Sequence, residues 1–410
     1  MYKMTPLAAA VAAVAAVAMS GAVISQEIRF DGFPDYDSQI NAIADDFKDV
    51  SGITVQQLIN QHGGHHDRIA TTLATGSGLG DVVLIDVGFV GAFVDGGGFI
   101  DLTDRFEPYR GNYPEYAIAQ GQGSNGHQYA VPVDLGPGVL YFRRDFMEDL
   151  GYDIDEVTAD WESYIDYGIT LRDEHDTLLI GDAGDIANAY INFNVESGNG
   201  LYFDADGEPL VTNERFVRAF ELARTVRQEG LDGNITAWSE DWTTGFQEGT
   251  FATQMSGAWL LGHLQNWMAP DTAGNWGVSH LPTGIYGTWG GSFLAIPAQS
   301  AKPDEAWALI EYMISEDVQL EGFQNIAAFP AHTATYDHAM FEEEIDFLRG
   351  QQARQMWAEI AENVEPVKPH RGDQIAESLI GTALENVLDD GMEIERALQN
   401  AENQIRRRVR

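Results

Sequence analysis

Aromatic rings and carboxylates recur in this sequence where apolar, strand-like runs end. Phe33 and Pro34 follow the run 27–30, Asp86 closes the run DVVLID, Asp134 ends YAVPVD, and Trp259 follows the turn Ser256-Gly257-Ala258. Trp289 stands before Gly290 and Gly291, a pair that allows backbone to come close to a bound molecule. Phe89, Tyr190, Trp238, Trp242 and Phe329 place further rings near strand ends. Flat rings suit the apolar C–H face of a sugar, and carboxylates and amides suit its rim of hydroxyls. For a single tryptophan, core packing is the stronger expectation, and Trp161 and Trp307, on helix faces, are read as core. The specific turn before Trp259 sets that residue apart. Asp86 reads equally as a ligand contact and as a cap of the next helix, while Asp31 and Asp35 read as caps.

A second constellation is QHGGHHDR, with His62, His65, His66 and Asp67. Imidazoles and a carboxylate are zinc ligands, but a closed site needs four that converge. This stretch falls in the loop between the second strand and second helix, and its four groups share no regular face. No metal is expected there; His65 or His66 bonding a sugar hydroxyl is the functional reading, against a plain solvated loop. Asp204-Ala205-Asp206-Gly207 opens like a calcium loop, but the acid pattern breaks after Glu208, so a surface hairpin turn is expected. No cofactor is implied. The hydrolase motifs Ser-x-x-Lys, Gly-x-Ser-x-Gly and His-Glu-x-x-His do not occur. A glycosidase needs two carboxylates about 5–10 Å apart; with 64 acidic residues, that alternative stays open.

These residues need elements to position them. A first strand at 27–30 precedes a helix with Ile40, Ile43, Phe47 and Val50 at helical spacing. A strand at 53–59, a helix at 68–74 and the strand ending at Asp86 follow. Strand and helix alternating at this spacing predict an α/β fold with a parallel sheet, and ligands at the carboxyl ends of its strands. Further on, helices are expected at 161–171 and 216–228, the second capped by Asn213, with a strand at 178–181 and a helix or strand at 187–195. A strand ends at Gly257, others span 276–281 and 292–297, and a helix opens at Pro303. Two apolar faces, Ile375 to Val387 and Ile394 to Ile405, predict two packed C-terminal helices.

The chain has 410 residues, 44% of them hydrophobic, enough for two domains. With 64 acidic against 23 basic residues the net charge is −41. That excludes nucleic acid and anionic lipid as natural partners and favours a neutral or cationic solute. The acids are spread along the chain, as a solvated surface suited to salt would be; an unfolding midpoint that rises with salt is then expected. At the N-terminus, Lys3 precedes an apolar run from Leu7 to Met19 and small residues at Ala22 and Ser25. Residues 1–25 read as a Sec-type signal peptide, cut after Ala22 or Ser25. The run is too short for a good membrane span. No cysteine occurs, so disulfides and a lipid-modified cysteine are both excluded. A free periplasmic protein is expected.

Three segments carry a family resemblance. DVVLIDVGFVGAF with GGFIDLTD, YAVPVDLGPGVLYFRRDFMEDLG, and the stretch from Phe246 to Met313 with its SGAW turn resemble family 1 extracellular solute-binding proteins. This is the carbohydrate-binding group that includes the maltose-binding protein, and VDLGP is similar to the lactose and arabinose type. Gly80 stands where the family commonly has proline, a change expected to matter little. The resemblance implies a two-lobed periplasmic-binding-protein fold of type II, each lobe a sheet flanked by helices. Three hinge crossings would lie near 132–138, 281–290 and 329–333. It implies a first lobe of 26–134 and 284–331, and a second of 135–283 and 332–410. It implies a monomer that captures a neutral mono- to trisaccharide and passes it to an ABC permease with a cytoplasmic ATPase, with no catalysis. In the same resemblance Trp259 takes the place of a stacking tryptophan, and Asp86 and Asp134 those of sugar-binding acids. The tail sequence PHRGDQI lacks the expected tryptophan, so His370, Arg371 or Asp373 would supply polar contacts. A polyol, an osmolyte, a polyamine, or an exported glycosidase are the alternatives.

Overall fold

The computed structural model describes residues 26–409; the expected signal peptide lies outside them. β1 (Gln26–Gly32) runs into α1 (Tyr36–Ser51), whose buried Tyr36, Ile40, Ile43 and Phe47 sit one turn apart on the inner face. β2 (Ile53–Ile59), α2 (His62–Thr75), β3 (Val82–Asp86) and α3 (Val87–Val94) continue the alternation. β1 pairs in parallel with both β2 and β3. The sheet is nevertheless mixed rather than parallel. β8 (Thr288–Ala295) returns from the far half of the chain and inserts antiparallel between β3 and the 14-residue β4 (Ala130–Arg143).

β4 is the spine of the molecule, buried along its whole length. Its first half pairs with β8 and with β9 (Phe329–Pro330). Its second half pairs with β6 (Phe251–Gly257) and β7 (Trp276–Ser279), and β6 carries the parallel β5 (Leu178–Ile180). The chain is therefore an α/β protein of two lobes, each a sheet with flanking helices, joined where β4, β8 and β9 lie side by side. Irregular register at Pro132/Asp134 and Leu135/Pro137 bends β4 there.

The second lobe packs helices Trp161–His175, Ala183–Phe193 and Glu214–Gln228 with Asp373–Leu388 and Ile394–Arg408 around one apolar core. Asn213 caps its helix as expected, accepting from the Phe216 N–H at 3.3 Å. Of residues 187–195, 187–193 are helical, as part of the helix Ala183–Phe193. The Asp204 turn is a turn: its Oδ1 accepts from the Asp206 and Glu208 N–H groups, and Arg406 pairs with Glu208.

Three local expectations change. The histidine stretch is not a loop; α2 begins at His62, and its glycines sit in the first turn. Asp31 is no cap. It is fully buried, held by Arg29 at 2.7 Å and Arg68 at 2.8 Å, and it accepts the Gly80 N–H at 2.7 Å. Gly80 therefore matters, because a proline there has no N–H to give, and a Cβ would meet Arg29 O at 2.5 Å. Asp35 flanks α1 with a φ of 75° but makes no capping bond; its carboxylate instead faces His263.

Candidate ligand cleft

A cavity of about 1040 Å³ lies between the lobes, against the seam of β4, β8 and β9. Asp86, Ser292 and Asp134 are in register on β3, β8 and β4, so their side chains share one face of the sheet. All three line the cavity. Asp134 is nearly buried; Tyr36, the first residue of α1, donates its hydroxyl to Asp134 Oδ2. Burial pushes the Asp134 carboxyl up to about 6, and the nearby Asp86 charge adds to the shift, against hydrogen bonds from Tyr36 and Ser292. Asp86 caps the next helix, as one of its two readings expects, and also lines the cavity. Its Oδ1 accepts from the Gly88 N–H at 2.9 Å and caps α3, while Oδ2 lies 3.5 Å from His62 Nε2.

A second side is aromatic. Trp259 leaves β6 through Gly257 and donates its indole N–H to the Trp289 carbonyl at 2.8 Å. Only glycine fits beneath this contact: a Cβ on Gly257 would lie 2.2 Å from Trp259 Nε1, and one on Gly136 would lie 2.1 Å from Trp289 O. Gly290 and Gly291 have φ of 86° and 127°, backbone that suits glycine alone. Trp238 stacks beside Trp259, with centroids 5.8 Å apart and planes 14° from parallel. His263 stands edge-on to both and accepts the Trp267 indole N–H at 3.1 Å. Trp259, His263 and Trp267 recur at intervals of four, so one short helical run presents them together. That run turns from α-helix (Leu260–His263) to π-helix (Leu264–Met268), a local irregularity common at functional sites.

The third side is the start of the helix Asp373–Leu388. Asp373 and Glu377, one turn apart, both line the cavity. Burial pushes the Asp373 carboxyl up to about 7; its Oδ2 accepts the His370 N–H at 2.7 Å, and its Oδ1 is sealed without a partner. Glu377 is also raised, by burial first and then by the Asp86 charge from the other lobe. Among the described residues, no Arg or Lys lines the cavity. The lobes touch on both sides of it. Gln374 Nε2 donates to the Gly88 carbonyl at 2.7 Å, and Asp35 Oδ2 comes within 3.9 Å of His263 Nε2.

The structure gathers Phe33, Pro34, Asp86, Asp134, Trp259, Trp289, Gly290 and Gly291 around one cavity. It does not bring His65, His66 or Arg371 to it. Because α2 starts at His62, His65 turns inward and bonds the Leu84 carbonyl at 2.7 Å, fully buried. His66 stacks on Phe89 at 4.0 Å and accepts the Asp86 N–H at 3.0 Å. Burial holds His66 down at about 4, so it is neutral and positions Asp86 from behind. His62, the remaining histidine, lines the cleft. Arg371 is exposed, and the next turn of the tail supplies Asp373 and Glu377 instead. Trp242 is buried and bonded to Gln254, and Trp161 and Trp307 are core. Among the described residues, no three His, Asp or Glu side chains are grouped to hold a metal ion. His263 and Trp267 went unread in the sequence, although their spacing of four from Trp259 was the available signal.

Residues 42–348 match the family described as bacterial extracellular solute-binding protein. Among curated proteins, the chain is similar to an arabinooligosaccharide-binding protein of Bacillus subtilis, 22% identical over 42% of this chain and 40% of the relative. It is also similar to a lactose-binding protein of Rhizobium radiobacter, 27% identical over 46% of this chain and 45% of the relative. The matched stretches thus span less than half the length of these relatives. Among solved structures, an extracellular solute-binding protein of family 1 superposes with a TM-score of 0.81 at 21% identity, covering 93% of this chain and 99% of that one.

Proposed function

Because this chain belongs to the bacterial extracellular solute-binding proteins, we propose that its solute is a neutral carbohydrate, captured between the lobes and handed to an ABC permease. The observation that carries the reading is the pairing of two kinds of lining. Stacked indoles and in-register carboxylates line one cavity, which matches the apolar faces and hydroxyl rim of a sugar. The lack of Arg and Lys in the lining disfavours an anionic solute. Relatives named for arabinooligosaccharide and lactose point the same way.

The lobes we propose are 26–134 with 284–331 and 135–283 with 332–410, moving about the β4, β8 and β9 seam. No bond is made or broken. Asp134 is committed to Tyr36 and Ser292, and so is poorly placed to move a substrate proton. The protein works as a periplasmic monomer. Among the described residues, no helix is long and apolar enough to cross a membrane.

A thermal-shift screen against sugars, polyols and polyamines tests this. A ligand that binds only the folded state raises the midpoint by mass action. Neutral sugars should raise it, and Trp259→Ala should abolish the rise. A rise with polyamines alone, or release of cleaved sugar, would overturn the reading.

A further inference from the structure

Arg215 is the second residue of the helix Glu214–Gln228 and does not line the cavity. Its guanidinium is partly buried beside the Phe216 ring, 4.9 Å from the ring centroid. In a chain with 64 acidic residues, a cation taken out of water is expected to pair with a carboxylate. Among the described residues Arg215 makes no such ion pair. It spends its donors on backbone, giving one N–H to the Ile191 carbonyl at 2.9 Å and another to the Leu201 carbonyl. Burial pulls the guanidinium down to about 10, so it stays charged at neutral pH. The two carbonyls bracket a loop. Ile191 lies in the last turn of the helix Ala183–Phe193, where carbonyls lack helical partners and a cation is favoured. Leu201 lies at the far end of the irregular stretch 194–202. The helix gives Asn188, Asn192 and Phe193 to the cavity, and the loop gives Val195, Leu201 and Tyr202. One side chain behind the cleft thus ties together two segments that line it.

We propose that Arg215 is a positioning residue for solute selection: by clamping Ile191 and Leu201 it fixes the loop 194–202 as a side of the cleft and sets Tyr202 as a donor to an acceptor oxygen of the solute. The inference rests on the carbohydrate reading above and adds to it a residue outside the cavity that governs what fits. Tyr202 packs beside Phe216, with ring centroids 6.0 Å apart. Burial, then the charges of Glu377 and Asp373, push its hydroxyl well above its ordinary value. It therefore keeps its proton and can donate, where the neighbouring carboxylates accept. A role in packing alone would be filled by an apolar side chain, which carries no charge to desolvate. Reaching two carbonyls at once needs a planar fork, which arginine has and lysine lacks.

The test joins two measurements on the full mature chain. Calorimetric titration with the sugars of the thermal-shift screen, lactose and arabinotriose among them, reads affinity. Hydrogen exchange of the ligand-free chain reads the loop. Arg215→Met, similar in length and apolar, should weaken binding by about tenfold, the worth of one hydrogen bond, and should speed exchange across 194–202. Tyr202→Phe should cost a similar factor with exchange unchanged. The double variant should lose less than the product of the two losses, because both act through one contact. Arg215→Lys keeps the charge without the fork and should fall between the native chain and Arg215→Met; it carries the test where the Met variant does not fold. Melting curves confirm folding in each case. Unchanged affinity in the Arg215 variants leaves a merely structural anchor and overturns the proposal, as do losses that multiply with that of Tyr202→Phe. Exchange across 194–202 that stays at the native rate overturns it too. A native chain that binds no sugar overturns the carbohydrate reading, and the exchange measurement then still decides the clamp.

Discussion

The two walls of the cleft are built on opposite principles. On the aromatic wall, the indole N–H groups of Trp259 and Trp267 are satisfied internally, by the Trp289 carbonyl and by His263. What remains are ring faces, which any flat apolar surface can meet. On the acidic wall, the carboxylates are crowded and only partly satisfied: Asp134 accepts from Tyr36 and Asp86 from the Gly88 N–H. Asp373 Oδ1 has no partner, and Glu377 from one lobe raises its affinity for protons partly because Asp86 faces it from the other. The first wall supplies grip without selectivity. The second supplies directional acceptors, which depend on where a guest carries its hydroxyls. The difference teaches that affinity and discrimination reside on separate elements and can be removed separately.

The largest effect should come from the aromatic wall. Trp259→Ala removes a central anchor of the hot-spot kind, and sugar affinity should fall by about 2 kcal/mol or more, roughly thirtyfold. Next come the carboxylates. Asp86→Asn and Glu377→Gln should each weaken binding by about tenfold, the worth of one hydrogen bond to a charged group, and should change the ranking of epimeric sugars, which Trp259→Ala should not. If the ranking moves with the tryptophan and not with the acids, the division of labour is wrong.

A smaller effect is expected where the lobes meet. A Cβ at Gly91 would lie 3.0 Å from Pro369 Cβ and 3.1 Å from the His370 carbonyl. Gly91→Leu should therefore hold the lobes apart, weakening binding severalfold and enlarging the radius of gyration in X-ray scattering. An unchanged radius with ligand present would show that this contact is not part of closure.

The smallest effect is on pH dependence. Asp373 titrates at about 7 and Asp134 at about 6 in the folded chain, both raised by burial. The folded state holds these protons longer than the unfolded one does, so the associated stability is complete below the ordinary carboxyl range and is lost as pH rises toward 7. His66, held down at about 4, acts oppositely at lower pH, below its ordinary value near 6.5. Between about pH 6 and 7 the carboxyls dominate, so the ligand-free melting temperature should decline there and level off above. Asp373→Asn should flatten that decline; an equal slope in the variant would place the proton elsewhere.

Much of this was legible because it depends on local pattern. The apolar runs closed by Asp86 and Asp134, and the Gly-bounded turn before Trp259, each encode their own geometry. The antiparallel insertion of β8 was not, because pairing with β3 joins residues more than 200 apart in sequence. The histidines show the same limit at short range. Read as a loop, His65 and His66 were candidates; once α2 starts at His62, helical spacing alone turns them inward and leaves His62 in the cleft. The glycine pair before them hid that start, since glycine lowers helix propensity. Asp373 was named with His370 and Arg371 as a polar contact of the tail, but Glu377 was harder still: nothing in a −41 chain marks that one of 64 acids as facing a cavity.

The most direct measurement is a crystal structure of the chain with a saccharide that stabilises it. The account predicts a sugar ring lying flat on Trp259, its hydroxyls on Asp86 and Glu377, and the Gln374 to Gly88 bond intact across the lobes. A saccharide seated elsewhere, or one in the cleft that leaves the face of Trp259 uncovered, would contradict it.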